Sequence, residues 1–265
     1  VRVQGLETIE PAYEGHFDLI TSNIPFGDVS LFDPAFSNSR DPVRRQGAWA
    51  IHNYFFMKSV DLVRDGGLVA FITSQGMADS ERNKPVREWL MERCDLVAAV
   101  RLPNNLFTDH AGTEVGSDLI VLQKNSAARP LSERQRDFIE TRTLSNGITV
   151  NNSFRSLDRV VQTSAKVGTN PYGKPAMEFT YAGGVEGIAR ALADMLAEDM
   201  ERHFNRELYE SHALKIAPHQ YREQQTETVS PRQAHNGIGQ VRNTELSGQT
   251  VLRQHGNEEI AQENL

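Results

Sequence analysis

His16-Phe17-Asp18-Leu19-Ile20-Thr21-Ser22-Asn23-Ile24-Pro25-Phe26 carries a short apolar, β-prone run into a proline-containing turn. Residues 16–22 therefore read as a buried strand, and Asn23 to Phe26 as the turn just beyond its end. Pro25 also biases Ile24 toward extended backbone. The next stretch, Gly27 to Gly47, is rich in Asp, Ser, Pro and Arg and reads as a long loop, a feature that in compact domains commonly serves function.

Working outward, Ile51, Phe55, Phe56, Val60 and Val63 recur near helical spacing, so Trp49 to Val63 is expected to be a helix stopped by Asp65-Gly66-Gly67. Leu68 to Ile72 reads as a buried strand, Lys84 to Arg93 as a helix, and Leu96 to Leu102 and Asp118 to Leu122 as two more strands. Alternating buried strands and helices predict an α/β layered domain with a mainly parallel sheet. Ligands of such sheets sit at the carboxyl ends of the strands. Asn23, Ser74 and Pro103 each follow such an end, so three segments are expected to meet at one edge.

Beyond Asn125 the composition changes. Residues 1–125 are expected to form the α/β unit and 126–182 a polar extension or linker, with Gly168 to Pro175 turn-rich. Ile188, Leu192, Leu196, Met200, Phe204 and Leu208 step by four, which predicts an amphipathic helix over 184–211 within a segment 183–216. From 217 to 265 Gln, Glu, Asn, His and Gly dominate, and a linker or disordered tail is expected.

The chain has 265 residues, 38% of them hydrophobic, enough for a sizeable core. No apolar run approaches a membrane span and no secretion-signal pattern opens the sequence, so a cytoplasmic location is expected. Cys94, the single cysteine, excludes internal disulfides and thiolate zinc clusters and reads as core packing. With 28 basic against 35 acidic residues the net charge is -7, so any hold on nucleic acid must come from a local basic surface. No phosphate-binding GxxxxGK[ST] loop and no metal-ligand spacing is present. The chain opens on Val1 in a strand-like Val-Arg-Val and ends in a helix-compatible run, as expected of a piece of a longer protein.

Asn23-Ile24-Pro25-Phe26 resembles the (Asn/Asp/Ser)-Pro-Pro-(Tyr/Phe/Trp) signature of amino methyltransferases, and more particularly of adenine-specific DNA methyltransferases of bacterial mobile elements and restriction-modification systems, some fused to helicase modules. Further segments follow in that family's order. Asp65 to Ile72 resembles its Gly-Gly turn and strand, Ile51 to Phe56 its helix after the catalytic loop, and Arg101-Leu102-Pro103-Asn104-Asn105-Leu106-Phe107 with Gly112 to Lys124 its Leu-Pro-x-x-x-Phe and closing-hairpin region. A weaker likeness runs through Asn170-Pro171-Tyr172-Gly173.

The resemblance implies the C-terminal half of a Rossmann-like S-adenosylmethionine-dependent methyltransferase sheet, followed by a helical extension and a disordered tail. It implies methyl transfer from S-adenosylmethionine to adenine N6 in double-stranded DNA, with the base flipped out of the duplex. By the same resemblance Asn23 and the main-chain oxygen of Ile24 accept hydrogen bonds from the amino group, Pro25 shapes the backbone, Phe26 and Phe107 wall the base, and Glu7 with Asn23 meets the cofactor. Ile24 replaces the first proline of the pattern; it keeps the carbonyl and loses one rigid ring. Helicase or restriction modules are implied as fused or associated partners, and no membrane.

Only 22 residues precede Asn23, too few for the glycine-rich turn that holds the cofactor's methionine end, so the donor's half of the site is expected upstream. Methylation of cytosine N4, RNA or a protein glutamine, and an inactive DNA-binding remnant, are the competing readings. His52 and Asn53 are candidates for the cofactor site or for plain helix-surface polarity. Arg40, Arg44 and Arg45 are candidates for phosphate contacts or for the surface of a merely solvated loop.

Overall fold

In the computed structural model of the chain, the residues described are 3–27, 29–108, 114–170 and 173–212, together with the backbone of Thr250–Arg253. β1 (Phe17–Asn23), β2 (Val63–Ser74), β3 (Cys94–Leu102) and β4 (Ser117–Lys124) make one sheet in the order β3-β4-β2-β1. β1 and β2 pair in parallel, whereas β4 is antiparallel to both β2 and β3. Three strands thus run the same way with one reversed strand between two of them. The sheet is mixed rather than mainly parallel, because the turn after Pro103 returns the chain as a neighbouring strand without a crossover helix. A further strand at Thr250–Arg253 lies antiparallel to β1, within the stretch expected to be a tail; the rest of 217–265 lies outside the described residues.

The expected strand at Val1 to Val3 falls on two residues outside those described, and Val3 itself is 99% exposed and not in a strand. The expected loop 27–47 contains two short helices, α1 (Pro34–Ser37) and α2 (Pro42–Gly47). Each begins with an aspartate cap followed by proline: Asp33 and Asp41 accept the amides of Ala35 and Val43 at 2.8 Å. That pairing satisfies a free helix-end amide and presets φ for the first turn.

α3 (Ile51–Leu62) buries Tyr54, Phe56, Met57 and Val60 against β1 and β2. It passes directly into β2. The Gly66-Gly67 pair is a bulge inside that strand, not a turn before it, since Phe17 pairs with Val63 but Leu19 with Leu68. α4 (Gly76–Asp79) and α5 (Lys84–Arg93) complete this face, α5 with the bounds the sequence predicts. Cys94 is buried in the same core, and burial pushes its thiol up to about 12.

The stretch 126–182 is packed structure, not a linker. α6 (Glu133–Ile139) starts with a reciprocal cap between Ser132 and Gln135 and leads into a hairpin of β5 (Thr141–Thr143) and β6 (Thr149–Asn151). Phe138, Ile148, Phe154 and Val161, scattered along it, are buried. They wrap the outer edge of β3: Val161 N–H donates to the Arg101 carbonyl at 2.9 Å and the Arg134 guanidinium to the Val97 carbonyl at 3.1 Å. An otherwise open strand edge is covered in this way. A second hairpin, β7 (Ser164–Thr169) and β8 (Pro175–Thr180), follows.

The expected single helix 184–211 is two. α7 (Gly184–His203) lays Ile188, Leu192, Leu196 and Met200 on the second face of the sheet, and the chain then breaks before α8 (Arg206–Ser211). The break has a physical cause in Gln123, fully buried in β4. Its side chain accepts from Asn205 N–H at 2.8 Å and donates to the carbonyls of Asn205 and Gly66 at 2.8 and 2.9 Å. Arg64 lies over the Tyr209 ring at 4.6 Å, completing the seat of α8 on the β2 bulge.

Gly66 has φ 76°, and a side chain there would meet the main chain of Leu208. Gly66→Ala should therefore cost at least about 2 kcal/mol in urea unfolding, strain plus undocking of α8. Gly15→Ala, at φ 65° but with open space around it, should cost only about 1 kcal/mol.

Candidate active site at the carboxyl edge of the sheet

β1, β2 and β3 deliver their carboxyl ends to one edge, and the register aligns them: Asn23 pairs with Ile72, while Ser74 and Leu102 both pair with Ser117. The three segments expected to converge there do so. Asn23 is the last residue of β1, exposed, with no side-chain hydrogen bond among the described residues. Its carboxamide oxygen is open to a donor.

Ile24 continues the ladder past the strand's end, its amide donating to the Ile72 carbonyl at 2.9 Å. Its side chain is 1% exposed, anchored in the main core. This bears directly on the departure from the two-proline pattern. A proline at 24 could donate no such bond, so rigidity given up with the ring is recovered by a ladder bond and a buried side chain.

Phe26 follows at 37% exposure, and its ring meets that of Phe107 edge-on at a centroid distance of 5.7 Å. Phe107 ends a 3-10 turn, Asn104–Phe107, that starts directly after Pro103. Two aromatic rings named from distant parts of the sequence therefore meet at the edge where β1 ends in Asn23. Glu7 lies on the 3-10 turn Leu6–Thr8, half-buried; its charge is felt at Tyr54, and no described contact joins it to Asn23.

The loop after the motif is fastened from beneath. Asp33 is buried and accepts from the Tyr54 hydroxyl at 2.7 Å and the Lys58 ammonium at 3.1 Å, both on α3. Burial alone would raise the Asp33 carboxyl, but the Tyr54 hydroxyl, the Ala35 amide and Lys58 hold it below its usual value. Burial and the same aspartate push the Tyr54 phenol up.

Other candidates resolve differently from the sequence reading. Arg44 is a structural tie: it pairs with both oxygens of Asp61, at 2.9 and 2.8 Å, and lies over the Phe36 ring at 4.3 Å. Arg45 is bonded to the Ser39 carbonyl at 2.6 Å, and Arg40 is exposed. Asn53 is buried rather than on a helix surface, donating to Asn83 at 2.8 Å, which in turn donates to the Gly76 carbonyl at 2.7 Å and lies 3.3 Å from His52. These side chains hold α3 to the segment after β2.

Asn104, Asn105, Arg101 and Asp118 shape the edge and were missed. For Asn104 and Asn105 a signal was available in Leu-Pro-Asn-Asn, two amides placed where a strand turns. Among the described residues no group of His, Cys, Asp and Glu could hold a metal ion, and no helix is long and apolar enough to cross a membrane.

The sequence profile of the N-6 DNA Methylase family matches residues 4–174, well over half of the chain. The chain belongs to the N-6 DNA Methylase family. The match spans the Asn23–Phe26 turn, the Phe107 turn and most of the packed extension. Among solved structures, this member of the family is similar to a putative class I S-adenosylmethionine-dependent methyltransferase from Listeria monocytogenes, at 18% identity and TM-score 0.34 over 44% of this chain and 34% of that one. It is similar to a modification subunit of a putative type I restriction enzyme from Vibrio vulnificus YJ016, at 15% and 0.37 over 58% and 41%. A third is the type I restriction enzyme EcoKI M protein, at 12% and 0.38 over 86% and 57%. The chain spans less than two thirds of the length of each. No curated protein matches the sequence.

Two stability predictions follow from the site's geometry. Ile24→Pro, which restores the family's usual residue, should destabilise the chain by about 2–4 kcal/mol, read by urea unfolding, because a ladder bond and a buried side chain are both lost. Asp33→Asn should cost about 2–4 kcal/mol at pH 7 by leaving Lys58 buried without its anion. Because the folded Asp33 carboxyl is depressed, its contribution is present above the unfolded carboxylate range and is lost as pH falls through the folded value. The variant's stability should therefore fall less steeply below about pH 4 than the parent's.

Proposed function

We propose that this edge is the acceptor pocket of an adenine-N6 DNA methyltransferase, which positions the exocyclic amino group of a flipped adenine for methylation by S-adenosylmethionine. The observation that carries the reading is the contact of Phe26 with Phe107, centroids 5.7 Å apart, at the edge where β1 ends in Asn23, whose carboxamide is unbonded among the described residues. Membership of the N-6 DNA Methylase family supports the same substrate.

An amino group conjugated to a ring is a weak nucleophile because its lone pair is delocalised. Two acceptors, one on each hydrogen, favour the pyramidal form that can attack an electrophilic methyl. Asn23 Oδ1 and the Ile24 carbonyl supply such a pair, and the core-anchored Ile24 fixes the second of them before substrate arrives. Phe26 and Phe107 offer apolar faces for the base, which replace its stacking in the duplex. S-adenosylmethionine, when bound, supplies the methyl as a sulfonium. Glu7 and Asn23 would meet it, while Asn23 and Ile24 hold and orient the amine.

DNA is the proposed partner, with restriction or helicase modules alongside it. Methylation of cytosine N4 would use the same two acceptors and is the second reading.

Asn23→Ala removes one acceptor and should lower methyl transfer roughly 10²–10³-fold, the usual effect of losing one preorganised polar group at a reacting centre. The measurement is incorporation of labelled methyl from S-adenosylmethionine into unmethylated DNA by the full-length protein, with the modified nucleoside identified by mass spectrometry. N6-methyladenine lost in the variant supports the proposal. N4-methylcytosine, or a fully active variant, contradicts it.

A further inference from the structure

The β7–β8 hairpin stands on the same turn that carries Phe107, gripped by that turn's side chains. Asn105 accepts the Tyr181 amide and donates to the Tyr181 carbonyl, both at 3.0 Å, and Asn104 accepts the Phe179 amide at 2.9 Å. Phe179 is buried, and Tyr181 packs with Leu106 on the cluster of Val100, Leu102 and Ile188. The root of the hairpin and the wall of the pocket are thus one piece. Past that root the ribbon is open to solvent, with β7 exposed along nearly its whole length.

Its charge and shape point to a partner. Between Ser164 and Thr180 lie Lys166, Lys174 and one acid, Glu178, in a chain whose net charge is -7. Glu178 is folded across the ribbon, accepting the Thr169 amide at 3.1 Å and pairing with Lys166 at 3.1 Å. Lys174 is exposed and unpaired among the described residues, held at the tip by Asn170, whose side chain accepts the Lys174 amide at 3.0 Å while its carbonyl accepts the Gly173 amide at 2.9 Å. A two-stranded ribbon has the width of the DNA major groove.

The pocket itself supplies the need for coupling. Rings 5.7 Å apart and edge-on leave no room for a base between them, which requires about 7 Å, twice a contact distance of ~3.5 Å. One of the two rings has to move aside, and a shift of the Asn104–Phe107 turn would be one that the ribbon fastened to it follows.

We infer that the β7–β8 ribbon is a DNA-contacting arm that seats in a groove beside the target base, and that Asn104 and Asn105 are positioning residues through which its seating opens the Phe26–Phe107 pocket. The inference rests on the acceptor-pocket reading and adds to it the surface that holds the duplex.

The test uses the full chain and a duplex carrying a mismatched 2-aminopurine, whose extrusion is cheap and whose fluorescence rises on unstacking. Anisotropy reports binding and 2-aminopurine reports flipping; neither needs a methyl donor. Lys166→Gln with Lys174→Gln should bind several-fold more weakly, and the slope of log affinity against log salt should fall in magnitude by about 1–2. Asn104→Ala with Asn105→Ala should bind within about threefold of the parent yet lose half or more of the fluorescence gain at saturation. Asn105→Asp, which keeps the acceptor for Tyr181, should retain most of that gain, and it decides the matter if the alanine pair does not fold. An unchanged salt slope in the lysine variant, or an unchanged gain in the asparagine variants, overturns the inference alone. A parent chain that fails to bind DNA overturns the acceptor-pocket reading as well.

Discussion

One guanidinium, that of Arg101, holds together the part of the sheet on which the candidate site stands. It is fully buried in β3 and donates to both oxygens of Asp118 on β4, at 2.8 and 3.1 Å, and to Asp79 at the end of α4, at 2.9 Å. The Phe154 ring lies 4.1 Å from its carbon, and Asp79 goes on to accept the Asn151 amide at 2.8 Å. A single cation thereby fixes the reversed strand in its place, fastens the packed extension, and anchors the end of β3 two residues before Pro103. Burial and the second aspartate push the Asp118 carboxyl up against the pull of Arg101. Removing one member of such a buried group leaves the others uncompensated, which is why it governs so much of the molecule.

From that point the candidate site follows by short steps. Pro103 turns the chain, Asn104 and Asn105 take hold of the second hairpin, and Phe107 is carried to Phe26. From the other side, the parallel ladder of β1 and β2 runs one bond beyond the strand, through the Ile24 amide, and sets Asn23 at the edge. The buried Asp33, Tyr54 and Lys58 then secure the loop that follows. The two halves of the candidate site are thus held by separate buried polar groups, with the two aromatic rings meeting between them.

Much of this was legible in the sequence where apolar residues form continuous runs or helical repeats: β1, β3, β4 and α5 lie within one or two residues of expectation. Phe26 and Phe107, paired from a resemblance, do touch. The packed extension was not legible, because residues such as Ile148, Phe154 and Val160 enter the core singly and without periodicity. Nor was the break before α8, since the apolar step of four continues through Phe204 and Leu208; what interrupts the helix is Gln123, distant in sequence. Asp33-Pro34 and Asp41-Pro42 did announce α1 and α2, but composition pointed to a loop. Arg44 and Asn53 read as either functional candidates or plain surface polarity, because charge and polarity in sequence do not reveal a partner such as Asp61 or Asn83.

The central claim is that Asn23 to Phe26 and Phe107 form a pocket for an extruded base. The most direct measurement is a crystal structure of the chain with a duplex in which one adenine is mismatched. The account predicts that base between the two rings, their separation widened from 5.7 Å to about 7 Å, with its amino group on Asn23 Oδ1 and the Ile24 carbonyl. A duplex bound with its adenine still stacked and the rings still touching would contradict it.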